Sequence, residues 1–158
     1  NAGKSSLFNL LTGKKQLEKD ELFATLDSSV GKLYLPALHH DVLVTDTIGF
    51  IRNLPPRLVQ AFTSTLMESV HADLLLHIVD AGDPEISVKV QVVNTILKDI
   101  GRDTGDVVYV FNKSDSVDAS KKEELQTEYR QLEPVFVSAK TGDGIETVLE
   151  TIAARLAG

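Results

Sequence analysis

The sequence contains no cysteine, no long apolar run and no excess of basic residues. The absence of cysteine excludes a disulfide framework and thiolate chemistry. The longest strongly apolar stretch, 72–79, includes Asp73 and His77 and is too short to cross a bilayer. A formal net charge of −7 argues against a broadly basic nucleic-acid surface, although a local basic patch would still allow an RNA partner. We therefore expect a cytoplasmic protein without a transmembrane segment or a signal peptide.

Strand-like and helix-like segments alternate along the 158 residues, a length typical of one domain. This alternation predicts an α/β fold of three layers, α/β/α, with a mostly parallel sheet. Residues 14–31 are polar and aperiodic, and we expect them to form a mobile loop. The predicted strands are 32–35, 41–45, 73–79, 107–111 and 134–137, and the predicted helices are 4–12 and segments beginning near Pro55, Asp83, Ser120 and Asp143.

The first residues match the end of the phosphate-loop pattern G-x-x-x-x-G-K-[ST]. Gly3 would let the backbone approach a polyphosphate, Lys4 would reach its β- and γ-phosphates, and the Ser5 hydroxyl would bind Mg²⁺. An ordinary helix start explains this short match equally well. We expect the loop's first glycine and its strand upstream, so that 1–158 is a P-loop domain truncated within this loop. Its predicted nucleotide-binding residues are Asn1, Ala2, Gly3, Lys4, Ser5 and Ser6.

A second element, Asp46-Thr47-Ile48-Gly49, directly follows an apolar strand. The D-x-x-G pattern would place the Asp46 carboxylate near Mg²⁺ and the Gly49 N–H near a γ-phosphate. A simple strand-to-turn junction is the alternative interpretation.

The third element, Asn112-Lys113-Ser114-Asp115, follows the apolar strand VVYVF. The Asp115 carboxylate would accept hydrogen bonds from N1–H and the 2-amino group of guanine, two donors that adenine lacks. Asp115 therefore disfavours an ATPase. The Lys113 stem would lie along the base plane, and Asn112 would tie this loop to the phosphate loop.

A fourth element, Ser138-Ala139-Lys140, again follows a strand, and the Ala139 N–H would bind guanine O6. Open α/β sheets bind ligands at the carboxyl ends of their strands, where all these elements lie. Together they predict a Ras-like P-loop GTPase domain that binds GTP and GDP.

The chain resembles the HflX family of GTPases over essentially its whole length. The similarity is carried by the phosphate-loop end, by the run LFATLD at 22–27, by the run TDTIGFIRNLP at 45–55 and by ADLLLHIVDA at 72–81. This resemblance implies binding to the large ribosomal subunit and splitting or rescue of stressed ribosomes. It also implies further domains ahead of the GTPase core.

The resemblance also implies roles for two loop residues. Thr25 would close on Mg²⁺ and the γ-phosphate, and Asn1 would hold a potassium ion near the phosphates. We thus predict a monomeric, Mg²⁺-dependent GTPase in which Lys4, Thr25 and Gly49 act in catalysis. Apolar Phe50 stands where many GTPases have a water-orienting glutamine, so we expect slow intrinsic hydrolysis that the ribosome stimulates.

Two other functions stay open at this point. One is a GTP-binding interaction module with negligible hydrolysis, and the other is a tRNA-modification or ribosome-assembly GTPase with the same core. Three histidines give no metal site: adjacent His39 and His40 suit a hairpin tip, and His77 suits a hydrogen-bonded position in the core.

Overall fold

The computed structural model describes residues 3–13, 29–46, 72–99, 101 and 106–157. The predicted elements within these ranges are confirmed, whereas the helix predicted from Pro55 lies outside them. None of the described helices is long and apolar enough to cross a membrane. The helices are α1 Lys4–Thr12, α2 Ile86–Asp99, α3 Ala119–Glu128 and α4 Ile145–Ala157, and the strands are β1 Ser29–Leu35, β2 His40–Asp46, β3 Leu75–Asp80, β4 Val107–Asn112 and β5 Val135–Phe136.

Strands β3, β4 and β5 form a parallel sheet in that order. The register of β3 on β4 runs from Leu75 opposite Val107 to Asp80 opposite Asn112. Parallel strands end at the same edge of a sheet. The residues that follow β3, β4 and β5 therefore meet along one edge.

The core lies on both faces of β4, all of whose residues are buried. Val108 and Val110 pack with residues of α1 and α4, while Tyr109 and Phe111 pack with residues of α2 and α3. Such double coverage explains the continuous apolar run of this strand. The three-layer α/β/α prediction is confirmed.

Strands β1 and β2 form an antiparallel hairpin whose turn spans 36–39. Within the described residues this hairpin is not hydrogen-bonded to the parallel sheet, but Leu33 and Leu35 join the core on the α1 and α4 side. The loop prediction was wrong for 29–31, because these residues pair with 44–46 as part of β1. The hairpin-tip interpretation of His39 and His40 is confirmed.

Helix α3 is capped by Asp118, whose carboxylate accepts a hydrogen bond of 2.7 Å from the Lys121 N–H, and Ser120 lies inside the first turn. The prediction that His77 is hydrogen-bonded was wrong for its Nδ1. His77 packs its ring 5.6 Å from that of Tyr109, but its Nδ1 has no hydrogen-bond partner among the described residues. Burial of this ring lowers the pKa of His77 to about 4.

Candidate functional site

The loops that follow β4 and β5 are joined by backbone hydrogen bonds. The Ser114 N–H donates to the Val137 carbonyl at 3.0 Å, and the Val137 N–H donates to the Phe111 carbonyl at 2.9 Å. These bonds continue the parallel pairing beyond the short strand β5. The third and fourth sequence elements are therefore neighbours along the edge.

The side chain of Asn112 lies between three loops. It is only 2% exposed, and its Oδ1 accepts a hydrogen bond of 3.0 Å from the Ala139 N–H. A Cβ atom added to Gly3 would lie 2.4 Å from Asn112 Nδ2, so the phosphate-loop glycine touches this amide. Glycine at this position permits both the close approach and the backbone φ of 83°.

The Ala139 N–H, predicted to bind guanine O6, is engaged by Asn112 in this structure. A base oxygen would therefore have to share this donor or replace Asn112 Oδ1. Lys140 is exposed beside this group, at the start of a turn.

Asp115 is exposed, and its carboxylate is oriented by a buried hydroxyl. Ser138 Oγ donates a hydrogen bond of 2.7 Å to Asp115 Oδ1 and accepts one of 3.1 Å from the Thr141 N–H. The bond from Ser138 lowers the pKa of Asp115, and the positive charge of Lys140 adds to the effect. A carboxylate has about four lone-pair positions, so this one still has room for two further donors.

Lys113 has a left-handed backbone, with φ of 63°. Its carbonyl accepts hydrogen bonds from the Ser116 N–H at 3.0 Å and from Ser116 Oγ at 2.7 Å. Its Nζ lies 3.4 Å from Asp80 Oδ2, and Asp80 Oδ1 accepts from the Gly82 N–H at 2.9 Å. Sequence reasoning had not assigned Asp80 to the site; the available signal was its position at the carboxyl end of a buried strand.

Gly3, the N-cap residue of α1, contacts the Asn112 side chain, so the start of this helix lies next to Asn112. No side chain caps this helix within the described residues, and its first turn contains no acidic residue. The N–H groups of a first turn lack partners within the helix and attract anions. Lys4, Ser5 and Ser6 are the first three residues of α1 and thus lie at this anion-binding position.

The remaining predicted site residues fall largely outside the described part of the chain. Asp46 is the last residue of β2, but its side chain is not described. Nor does the structure describe Asn1, Ala2, Thr25 or Gly49.

The predicted Mg²⁺ ligands fit the ion by their chemistry, because hydroxyl and carboxylate oxygens are the donors that Mg²⁺ prefers. The described residues contain no group of three or more histidine or acidic side chains able to hold a metal.

A family model described as "50S ribosome-binding GTPase" matches residues 1–113. The GTPase HflX of Caldanaerobacter subterraneus is 42% identical over 156 residues, which cover 99% of this chain and 35% of that protein. The GTPase HflX of Escherichia coli is 39% identical over 158 residues, which cover 100% of this chain and 37% of that protein. The chain thus spans about a third of the length of these relatives.

Solved structures show the same fold. The crystal structure of a GTP-binding protein from Sulfolobus solfataricus in complex with GDP matches with a TM-score of 0.72 and 30% identity, over 99% of this chain and 50% of that one. The matched family model, the shared P-loop GTPase fold and the identity to HflX proteins agree with the resemblance drawn from the sequence. The chain belongs to the HflX family of GTPases.

Proposed function

We propose that this chain binds GTP and GDP together with Mg²⁺ along the described edge and hydrolyses GTP as a conformational switch. The observation that carries the proposal is the convergence of three sequence elements on one another. Asn112 contacts both Gly3 and Ala139, and Ser138 orients Asp115. The phosphate loop and both base-recognition loops are therefore held together by side chains from the motifs themselves.

The base would be recognised at the ends of β4 and β5. The Asp115 carboxylate, oriented by the hydrogen bond from Ser138, would accept hydrogen bonds from guanine N1–H and the 2-amino group. Adenine offers neither donor, and a site that hydrogen-bonds a particular donor discriminates strongly against analogues that lack it.

The phosphates would lie at the start of α1, where the backbone N–H groups of the first turn and Lys4 offer positive charge. Mg²⁺ held by Ser5, Thr25 and Asp46 would neutralise charge on the β- and γ-phosphates. Catalysis would depend on Lys4, Thr25 and the Gly49 N–H, and a potassium ion at Asn1 is a further candidate for positive charge. With Phe50 in place of a water-orienting side chain, the intrinsic rate would be slow and the ribosome would stimulate it.

The switch would act on the large ribosomal subunit, in ribosome binding, splitting or rescue under stress. This part of the proposal is supported by the description of the matched family and by the HflX relatives. We further propose that the protein acts in the cytoplasm as a monomer. The loop around Thr25 and the segment 46–54 would change conformation between the GTP and GDP states.

A competition titration of GDP against ADP and XDP tests the nucleotide assignment. We expect GDP to displace a fluorescent guanine nucleotide at least about 100-fold more effectively than ADP does. Equal displacement by ADP would refute guanine recognition. GTP turnover in potassium and in sodium, with and without large ribosomal subunits, then tests hydrolysis and its stimulation. Inactivity in single-turnover assays under all four conditions would favour an interaction module instead.

A further inference from the structure

Asp80 forms an ion pair with Lys113, the first residue of the loop 113–116 that follows β4. It ends β3, opposite Asn112 in the register. The Gly82 N–H fixes its Oδ1 at 2.9 Å, and this leaves Oδ2 at 3.4 Å from Lys113 Nζ. The carboxylate is thus oriented by its own turn and aimed at the lysine ammonium.

The ion pair lies at the end of a Lys113 side chain that crosses the edge. The Lys113 backbone is held in its left-handed conformation by Ser116. Farther out, Lys113 Cε lies 3.8 Å from the position that a Cβ of Gly3 would occupy. The stem therefore passes beside the phosphate-loop glycine on its way to Asp80.

A lysine side chain has four rotatable bonds, and immobilising such a chain at a binding site weakens affinity about two- to tenfold. A partner that holds the chain before the ligand arrives removes most of this cost. An ion pair whose side chains are 41% and 28% exposed contributes little to the stability of the fold itself. Its main effect should therefore be on binding rather than on folding.

We propose that Asp80 is a positioning residue for guanine recognition. Its carboxylate holds the Lys113 stem extended, so that the stem forms a preformed surface for the face of the base. The inference rests on the proposed function and extends it to a residue outside the motifs of this edge. Because the stem would contact the ring face, the effect should not depend on the 2-amino group.

The test is a double-mutant cycle of Asp80→Asn and Lys113→Met, read by GDP affinity and by the thermal midpoint. Asparagine keeps an acceptor for the Gly82 N–H but removes the charge. We expect Asp80→Asn to weaken GDP and IDP binding equally, by about three- to tenfold, with an unchanged midpoint. In the Lys113→Met background the same substitution should have no effect on GDP affinity.

Asp83→Asn is the matched control, because Asp83 lies in the same turn but pairs with Lys89. It should leave GDP affinity unchanged. Asp80→Glu keeps the charge and should restore affinity to within about twofold of the parent. This variant also keeps the test decisive if Lys113→Met binds GDP too weakly to measure.

An equal loss in both Lys113 backgrounds, or no loss from Asp80→Asn, would overturn the positioning role. So would a failure of Asp80→Glu to restore binding. These outcomes differ from a failure of the proposed function, in which the parent chain itself would show no preference for GDP over ADP.

Discussion

The two ends of the candidate site are built differently. At the base end, the side chains of Asn112, Asp115 and Lys113 each have a named partner from another loop or strand. At the phosphate end, the described part of the site is the start of α1, which has no side-chain cap.

Because of this difference, we expect the two ends to contribute differently to nucleotide binding. The side chains of the base end are held by partners from other loops or strands, so we expect them to discriminate between bases without large rearrangement. The phosphate end presents backbone donors that phosphate oxygens would complete. Specificity should therefore reside in the first region and electrostatic attraction in the second.

The substitution Asp115→Asn, which tests base specificity, should have the largest effect. We expect GDP affinity to fall about 100-fold and the preference to shift toward XDP, because an amide presents a donor where guanine also has donors. Isothermal titration with both nucleotides measures this. Asp118→Asn is the control: it removes one nearby charge, and asparagine caps α3 as well as aspartate does. If Asp115→Asn retained selectivity for GDP, base recognition would lie elsewhere.

The contact between the two ends is tested by Gly3→Ala. Alanine strains the left-handed backbone and drives a methyl group against Asn112, so we expect about 30-fold weaker binding of both GDP and XDP. Gly13→Ala is the matched control, since Gly13 has a similar φ of 73° but no atom within 4 Å of an added Cβ. Equal GDP affinities for the two variants would show that the contact with Asn112 does not matter.

His77 lies in β3, one of the strands that end at the edge. Its burial should make the free energy of unfolding depend on pH, independently of nucleotide binding. Burial lowers the pKa of His77 to about 4 from 6.5, so the unfolded chain binds more protons and stability is lost as pH falls below 6.5. We expect about 2 kcal/mol less stability at pH 5 than at pH 7.5 from this residue.

Urea unfolding at the two pH values measures this loss. His77→Phe should remove it, whereas His40→Gln, at the exposed hairpin, should not. The His77 interpretation would be wrong if His77→Phe left the pH dependence unchanged.

The smallest expected effect comes from removing the Ser138 hydroxyl at the base end. Ser138→Ala removes the hydroxyl that orients Asp115 and should weaken GDP binding about fivefold. The bond from Ser138 lowers the pKa of Asp115, so its loss raises that pKa. The ionised form of Asp115, which we propose binds guanine, would then be lost at a higher pH during acidification.

GDP titrations between pH 7 and pH 4 follow this change. Thr127→Ala, which removes a hydroxyl on the exposed face of α3, serves as the control. Identical pH profiles for Ser138→Ala and the parent chain would contradict the assigned role of Ser138.

Sequence patterns predicted the described elements well where the apolar period and the residues that end an element agree. Helix α1 runs from Lys4 to Thr12 and ends at Gly13, as its apolar spacing indicated. Strand β4 was equally clear, because both of its faces are covered by helices and its residues are all apolar up to Asn112. The start of β1 was missed because residues 29–31 show no apolar period of their own. They are part of the strand through their pairing with residues 44–46 of β2.

The candidate site shows the same contrast between local patterns, which the sequence reveals, and contacts between strands, which it does not. The types and order of Asn112, Lys113, Asp115, Ser138 and Ala139 predict guanine recognition, and the structure brings the two loops that carry these residues together. Their partners were not predictable in the same way: the engagement of Ala139 by Asn112 and the ion pair of Lys113 with Asp80 join residues from different strands. Hydrogen bonds between these loops depend on which strands pair, and β3, β4 and β5 are separated from one another by helices, so no local segment specifies their pairing.

By itself, the sequence determined which chemical groups this chain carries and where they follow its strands, because apolar period and motif spacing are local properties of the chain. Tertiary structure decided which of these groups touch. Only parallel pairing of β3 on β4 places Asp80 beside Asn112, and only the packing of α1 against this edge brings Gly3 to the same amide. Contacts of this kind arise from burial of the shared core, to which distant parts of the chain contribute together.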